Sequence, residues 1–195
     1  MLTQSTQGMA LLMTVLALGF ATSCGAEDRA ATRPGVGDAA QDFELQAVAG
    51  SRQGKVKLSE VLKEGPAVLA VLRGYPGYQC PACSQQVGSL IGKARELKSA
   101  NVLLIYPGPA LELNLRAGEF LQGTELPAGF TMLLDPDYSF TNAYGLRWDA
   151  PRETAYPSTF VIDSNGKVRY RKVSMTHGDR ANATEVAQAV ANLEN

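Results

Sequence analysis

Arg73-Gly-Tyr-Pro-Gly-Tyr-Gln-Cys80-Pro-Ala-Cys83 joins the end of one apolar run to the start of a helical pattern. Upstream, Ala67–Leu72 reads AVLAVL, a continuous apolar stretch of strand length. It predicts a strand buried on both faces. Downstream, apolar residues recur at Cys83, Val87, Leu90, Ile91, Ala94 and Leu97, one face of a long helix. Pro81 suits the first helical position, where its missing N–H costs nothing. A helix N-terminus carries partial positive charge and unpaired N–H groups, which favour a thiolate over a thiol. The thiolate is the nucleophilic form of cysteine. The segment therefore predicts redox chemistry on sulfur, with Cys80 and Cys83 as the catalytic pair.

Working outward, strand and helix signals alternate from Asp42 onward. Phe43-Glu44-Leu45 and Val56-Lys57-Leu58 flank a turn containing glycine, and Leu58–Leu62 reads as a short turn or helix before Gly65-Pro66. Val102–Tyr106 and Thr131–Leu134 are further buried strands, and Leu111–Leu121 has a helical pattern between them. Asp135-Pro136-Asp137 is a helix start that places Phe140 and Tyr144 on one face. Ser158–Asp163 and Lys167–Val173 predict a hairpin through Ser164-Asn165-Gly166. Asn182-Ala-Thr-Glu185 has the form of a capping box for a last helix, with Val186, Val190 and Leu193 as its buried stripe. The expected class is α/β: a central mixed sheet with helices on both faces.

Composition bounds the function. The 195-residue chain has a formal net charge of −1 with acids and bases interspersed, which argues against nucleic acid as its main partner. It has one histidine, His177, so a site built from several histidines is excluded. Of its three cysteines, Cys24 stands apart from the pair. Met9–Ala21 reads MALLMTVLALGFA, too short for a comfortable membrane span and right for the core of a signal peptide. Ala21-Thr-Ser-Cys24-Gly25 resembles a bacterial lipobox, whose cysteine is lipidated and becomes the new N-terminus. The leader Met1–Gln7 lacks the usual Lys or Arg. The expected organisation is a lipoprotein-type signal peptide over residues 1–23, a flexible tether over 24–40 and one redox domain over 41–195. The expected location is the periplasmic side of a bacterial membrane, anchored through lipid on Cys24.

From about Gly35 to Leu193 the chain resembles the thioredoxin superfamily, and within it the peroxiredoxin-like branch, the alkyl hydroperoxide reductase and thiol-specific antioxidant family. Three places carry the resemblance. Pro76-x-x-x-Cys80-x-x-Cys83 is similar to the peroxiredoxin Pro-x-x-x-Thr-x-x-Cys, with Cys80 where threonine stands, and also to the Cys-x-x-Cys of thioredoxins. Tyr156-Pro-Ser-Thr-Phe-Val-Ile-Asp163 is similar to the strand that thioredoxin-like reductases precede with a cis-proline. Pro157 matches that proline and stands where peroxiredoxins usually have an arginine. Asp163-Ser-Asn-Gly166-Lys-Val168 is a hairpin common to both branches.

The resemblance implies a thioredoxin-like fold and an oxidoreductase that needs no bound cofactor or metal. It leaves two chemistries. In thiol–disulfide exchange, Cys80 attacks a protein disulfide from an exposed position, and the more buried Cys83 releases the mixed disulfide. In the peroxidase alternative, Cys83 attacks peroxide, becomes a sulfenic acid and is resolved by Cys80. Both need an electron donor. The missing threonine and the proline at 157 favour exchange. Pro76, Tyr78, Pro157 and Thr159 are the expected groove-forming residues. Arg73, at the end of the strand leading to the site, is the candidate to replace the missing arginine. A further alternative is copper delivery through Cys80, Cys83 and His177, as in copper-delivery proteins of this fold, although those use a Cys-x-x-x-Cys spacing.

Overall fold

The computed structural model describes residues 1–2 and 33–193. The signal-peptide core, Cys24 and most of the expected tether lie outside the described residues. The elements run β1 Glu44–Gly50, β2 Lys55–Lys57, α1 Leu58–Glu64, β3 Ala67–Val71, α2 Pro81–Gly92, β4 Asn101–Gly108, α3 Leu113–Leu121, β5 Phe130–Pro136, α4 Ser139–Ala143, β6 Ser158–Ile162, β7 Val168–Val173 and α5 Ala183–Ala191. One seven-stranded sheet holds the strands in the order β2-β1-β5-β4-β3-β6-β7. β3, β4 and β5 are parallel, while β1 and β6 add antiparallel to either side. The expected mixed sheet is present.

The strands alternate between two cores, as the period of two requires. Val68, Ala70 and Leu72 join Val102, Leu104 and Tyr106 on one face, under the buried stripes of α2, α3 and α5. Ala67, Leu69 and Val71 join Leu103 and Ile105 on the other, under α1 and α4. There Phe140 stacks on Tyr144 with centroids 4.2 Å apart, and Phe43 meets Phe140 edge-on at 5.0 Å. The cysteines belong to the first face.

Two elements depart from the sequence pattern. The helix predicted to run to Leu97 ends at Gly92. Lys93 and Ala94 donate to Leu90 and Ile91, three residues back, so the last turn tightens, and Leu97 reaches the core from the irregular segment that follows. Gly88 and Gly92 lower the propensity of this stretch enough for tertiary packing to end it. From Arg33 on, the stretch read as a tether is docked. Arg33 Nε donates to the Gly145 carbonyl at 2.8 Å, and Gly37 and Ala40 donate to Val168 and Gly166 at 2.8 Å. The cap expected for the last helix is present: Asn182 accepts from the Thr184 N–H at 2.8 Å. Glu185 accepts instead from the Tyr170 hydroxyl at 3.1 Å.

Candidate active site

The loop that follows β3 is forced by a close backbone approach. Gly74 has φ 74°, and any Cβ there would run into the Pro107 carbonyl at the end of β4. Only glycine accepts both conditions. Gln79 fixes the far side of the loop. It accepts from the Tyr106 hydroxyl at 2.8 Å and donates to the Arg116 carbonyl at 2.9 Å. Cys80 is then the extended N-cap residue of α2, with Pro81 behind it, and its carbonyl accepts from Cys83 and Ser84 at 3.0 and 3.2 Å.

Both thiols are free. Cys83 is 1% exposed, as its place in the apolar stripe predicts. Cys80, expected to be exposed, is 3% exposed. The reason is tertiary: Arg180, from the segment between β7 and α5, lies against both sulfurs. Its Nη2 is 3.3 Å from Cys83 Sγ and 3.6 Å from Cys80 Sγ. The Arg73 N–H donates to Cys83 Sγ at 3.2 Å.

The two thiols divide one proton unequally. A hydrogen bond from the Cys83 thiol pulls Cys80 down to about 5, against burial, with help from the Cys83 N–H and the charges of Arg180 and Arg73. That donor role and burial push Cys83 up, against the charge of Arg180. Of the two, Cys80 is the thiol whose pKa is lowered, and its N-cap position acts in the same direction.

Arg180 is itself held firmly. Nη1 donates to Gln86 Oε1 at 3.0 Å, and Nε donates to the His177 carbonyl at 2.8 Å. Gln86, one turn beyond Cys83 and buried, donates to Thr159 Oγ1 on β6 at 3.1 Å. Thr159 thus supports the site through Gln86 and Arg180.

Arg73 contacts the pair through its backbone N–H, and its charge acts on Cys80 only at a distance. Its guanidinium turns away to Glu153 Oε2 at 2.9 Å, the Arg152 carbonyl at 2.6 Å and the Tyr78 hydroxyl, with the Tyr78 ring 5.0 Å from its centre. Burial raises Glu153, but hydrogen bonds from Arg73 and His177 outweigh it and hold the carboxyl below its ordinary range. The carbonyl of Arg73 accepts from Thr154 Oγ1, so the segment 152–154 fixes both ends of the residue whose N–H faces Cys83.

Two expectations are corrected. Tyr156–Pro157 is trans, since no cis peptide bond occurs among the described residues. Pro157 is buried just before β6, and its carbonyl accepts from Ser174 at 2.8 Å, continuing the β6–β7 ladder. Strand entry is a place that accommodates an ordinary trans proline. The copper set is not assembled either. His177 Nε2 lies 3.0 Å from Glu153 Oε1, and its ring packs on Trp148 at 5.3 Å. Among the described residues no group of three His, Cys, Asp or Glu side chains is placed to hold a metal. Pro76 sits half-buried in the loop between Gly74 and Gly77.

Arg180, Gln86 and Glu153 have no signal of their own in the sequence. The one available clue is indirect: Arg180 lies just before the Asn182 cap, and α5 packs against α2. Chemically, two neighbouring thiols and a guanidinium in contact with both can accept an oxidant and close a disulfide.

The AhpC/TSA family model matches residues 36–171. Among solved structures, the chain is similar to the peroxidoxin BcpB of Mycobacterium tuberculosis. The identity is 22%, the TM-score 0.67, and the match covers 84% of this chain and 100% of that one. AhpC of Mycobacterium tuberculosis matches at 16% identity and TM-score 0.65, over 84% of this chain and 94% of that one. A peroxiredoxin-like protein from Aquifex aeolicus matches at 18% identity and TM-score 0.66, over 83% and 88%. These likenesses carry the fold. No curated protein matches the chain significantly.

Proposed function

The chain belongs to the AhpC/TSA family and is a thiol-dependent oxidoreductase, and from that premise we propose that it is a peroxidase that reduces small hydroperoxides through Cys80 and Cys83. One observation carries the reading: the Arg180 guanidinium donates to both sulfurs in a site where they are 3% and 1% exposed. A small peroxide reaches such sulfurs more easily than a folded protein disulfide does. A fixed, permanently charged donor also faces the negative charge that develops on the peroxide oxygens.

The steps balance. The Cys80 thiolate attacks one peroxide oxygen, the O–O bond breaks, and the other oxygen leaves as water or alcohol after taking a proton. Cys80 is now a sulfenic acid. The Cys83 sulfur then attacks Cys80 Sγ, the S–O bond breaks, and hydroxide leaves with the Cys83 proton as water. An external thiol reductant returns the disulfide to two thiols. This reverses the order in which the family resemblance would use the pair; the reversal is supported by the place of Cys80 at the N-cap of α2 together with the lowering of its thiol.

Thiol–disulfide exchange is the second reading, supported by the same lowered Cys80 at a helix N-cap. Rapid mixing of the reduced protein with hydrogen peroxide and, separately, with a protein disulfide tests both. Cys83→Ser should react with one equivalent of peroxide and stop at the sulfenic acid, whereas Cys80→Ser should react about 100-fold more slowly. Fast reaction of Cys80→Ser alone overturns the order of attack. Faster reaction with the protein disulfide than with peroxide overturns the peroxidase.

The reading extends to location: export and anchoring through lipid on Cys24, supported by the apolar run Met9–Ala21 and the small residues before Cys24. Mass spectrometry of the mature N-terminus tests it, and a mature chain beginning elsewhere than Cys24 overturns it.

A further inference from the structure

The site has a neighbour on the other side of Arg180. A groove of about 490 Å³ runs between α2 and the segment from Gly178 to Thr184. The α2 wall presents Gln85, Gln86, Ser89 and Lys93, and the facing wall presents Arg180. The lining holds two cations, amides and hydroxyls, with no carboxylate and no large apolar side chain. One end is closed by the guanidinium that touches both sulfurs. The other end is marked by Lys93, and the α-helical rise puts it about 15 Å from Cys83 along α2. Lys93 pairs with Glu96 at 3.1 Å, an exposed pair that water screens.

We propose that this groove seats the reductant, and that the reductant is a small thiol of about tripeptide length carrying carboxylates. Its carboxylate lies toward Lys93 and its sulfur enters at the Arg180 end, where the guanidinium, no longer facing a thiolate once the disulfide has formed, turns aside to admit it. The volume suits a small molecule, and the absence of apolar walls disfavours both a lipid chain and the apolar anchors of a protein interface. The proposal rests on the reading of Cys80 and Cys83 as a cycling pair. In the step itself, the incoming thiolate bonds to Cys80 Sγ as the Cys80–Cys83 bond breaks, and Cys83 leaves toward the Arg73 N–H and Arg180. A second thiol attacks the mixed disulfide, so two small thiols become one small disulfide and the pair regains two electrons and two protons.

The test uses the full chain with its disulfide formed by diamide, so that it does not depend on the peroxide step. Re-reduction is followed by acid quench and alkylation, comparing glutathione with its diethyl ester at matched thiolate concentration. The expected result is a rate about 10-fold higher for glutathione, falling with salt. Lys93→Glu should remove most of that preference and leave the ester rate unchanged, with Gln85→Glu acting in the same direction to a smaller extent. Equal rates for the two thiols overturn the proposal. A preference that survives both variants, or faster reduction by a protein dithiol that neither variant alters, also overturns it. Peroxide consumption by the same samples is measured separately: its loss sinks the peroxidase reading, while the glutathione preference still decides the groove.

Discussion

Asp135 is held by its own neighbours, whereas Glu153 is held from across the molecule. Asp135 accepts from the N–H groups of Phe140 at 2.8 Å and Thr141 at 3.0 Å, from Ser139 Oγ at 3.1 Å, and from Thr141 Oγ1. All four donors are neutral and lie within the next turn of chain. Burial wins over them and pushes the Asp135 carboxyl up. Glu153 accepts from Arg73 and His177, which are 80 and 24 residues away in sequence. There the partners win over burial, and the carboxyl is held down. The difference separates two uses of an acid drawn out of water. Asp135 fastens β5 to α4 and the aromatic core behind the sheet. Glu153 and His177 fasten distant segments around the cysteines, so their energy is spent on holding a site.

Removing Asp135 should give the largest effect on stability. Asp135→Ala strands two buried N–H groups, and denaturant melts should show a loss of about 3 kcal/mol. The reactivity of the remaining folded protein toward peroxide should stay within twofold, and a change beyond that would erase the contrast. Arg180→Met should do the reverse. Peroxide reactivity should fall about 100-fold, or about 2.7 kcal/mol, with stability nearly unchanged. The pH midpoint for alkylation of Cys80, expected near 5, should also rise. A normal midpoint in the wild-type protein would remove the basis for placing the thiolate there.

Glu153→Gln should move both readouts by less. It keeps an oxygen that can accept from Arg73 Nε but removes the negative charge facing the Arg73 guanidinium, a loss of about 2 kcal/mol for a pair this enclosed. Because the folded carboxyl titrates below its ordinary value of 4.5, its contribution is complete above that value and disappears as pH falls through the lower folded one. Urea melts at pH 7 and at acid pH should therefore show the wild-type advantage shrinking with acid, and a constant advantage would break the assignment. Thr159→Val is the smallest change. It unpairs the Gln86 amide, at a cost of about 1 kcal/mol, and should slow the peroxide step a few-fold by loosening Arg180.

Much of the frame is written locally. AVLAVL and VLLIY are continuous apolar runs because β3 and β4 are covered on both faces. Pro81 after Cys80 marks the start of α2, and Asn182 marks the start of α5, because capping involves residues one turn apart. The end of α2 was not legible, since Leu97 keeps the helical period while the chain around it has already left the helix. Nor was the burial of Cys80, which depends on a side chain 100 positions later.

The sequence by itself determined that two thiols stand at a helix N-terminus behind a buried parallel strand, because propensity, periodicity and capping act over a few residues. Only the tertiary structure decided what surrounds them. Arg180 lies against both sulfurs, Thr159 reaches the site through Gln86, and Arg73 gives its N–H to Cys83 while its guanidinium pairs with Glu153. These are contacts between side chains brought together by sheet order. Local pattern carries no information about them, because their energies depend on which distant segments the strand pairing makes neighbours.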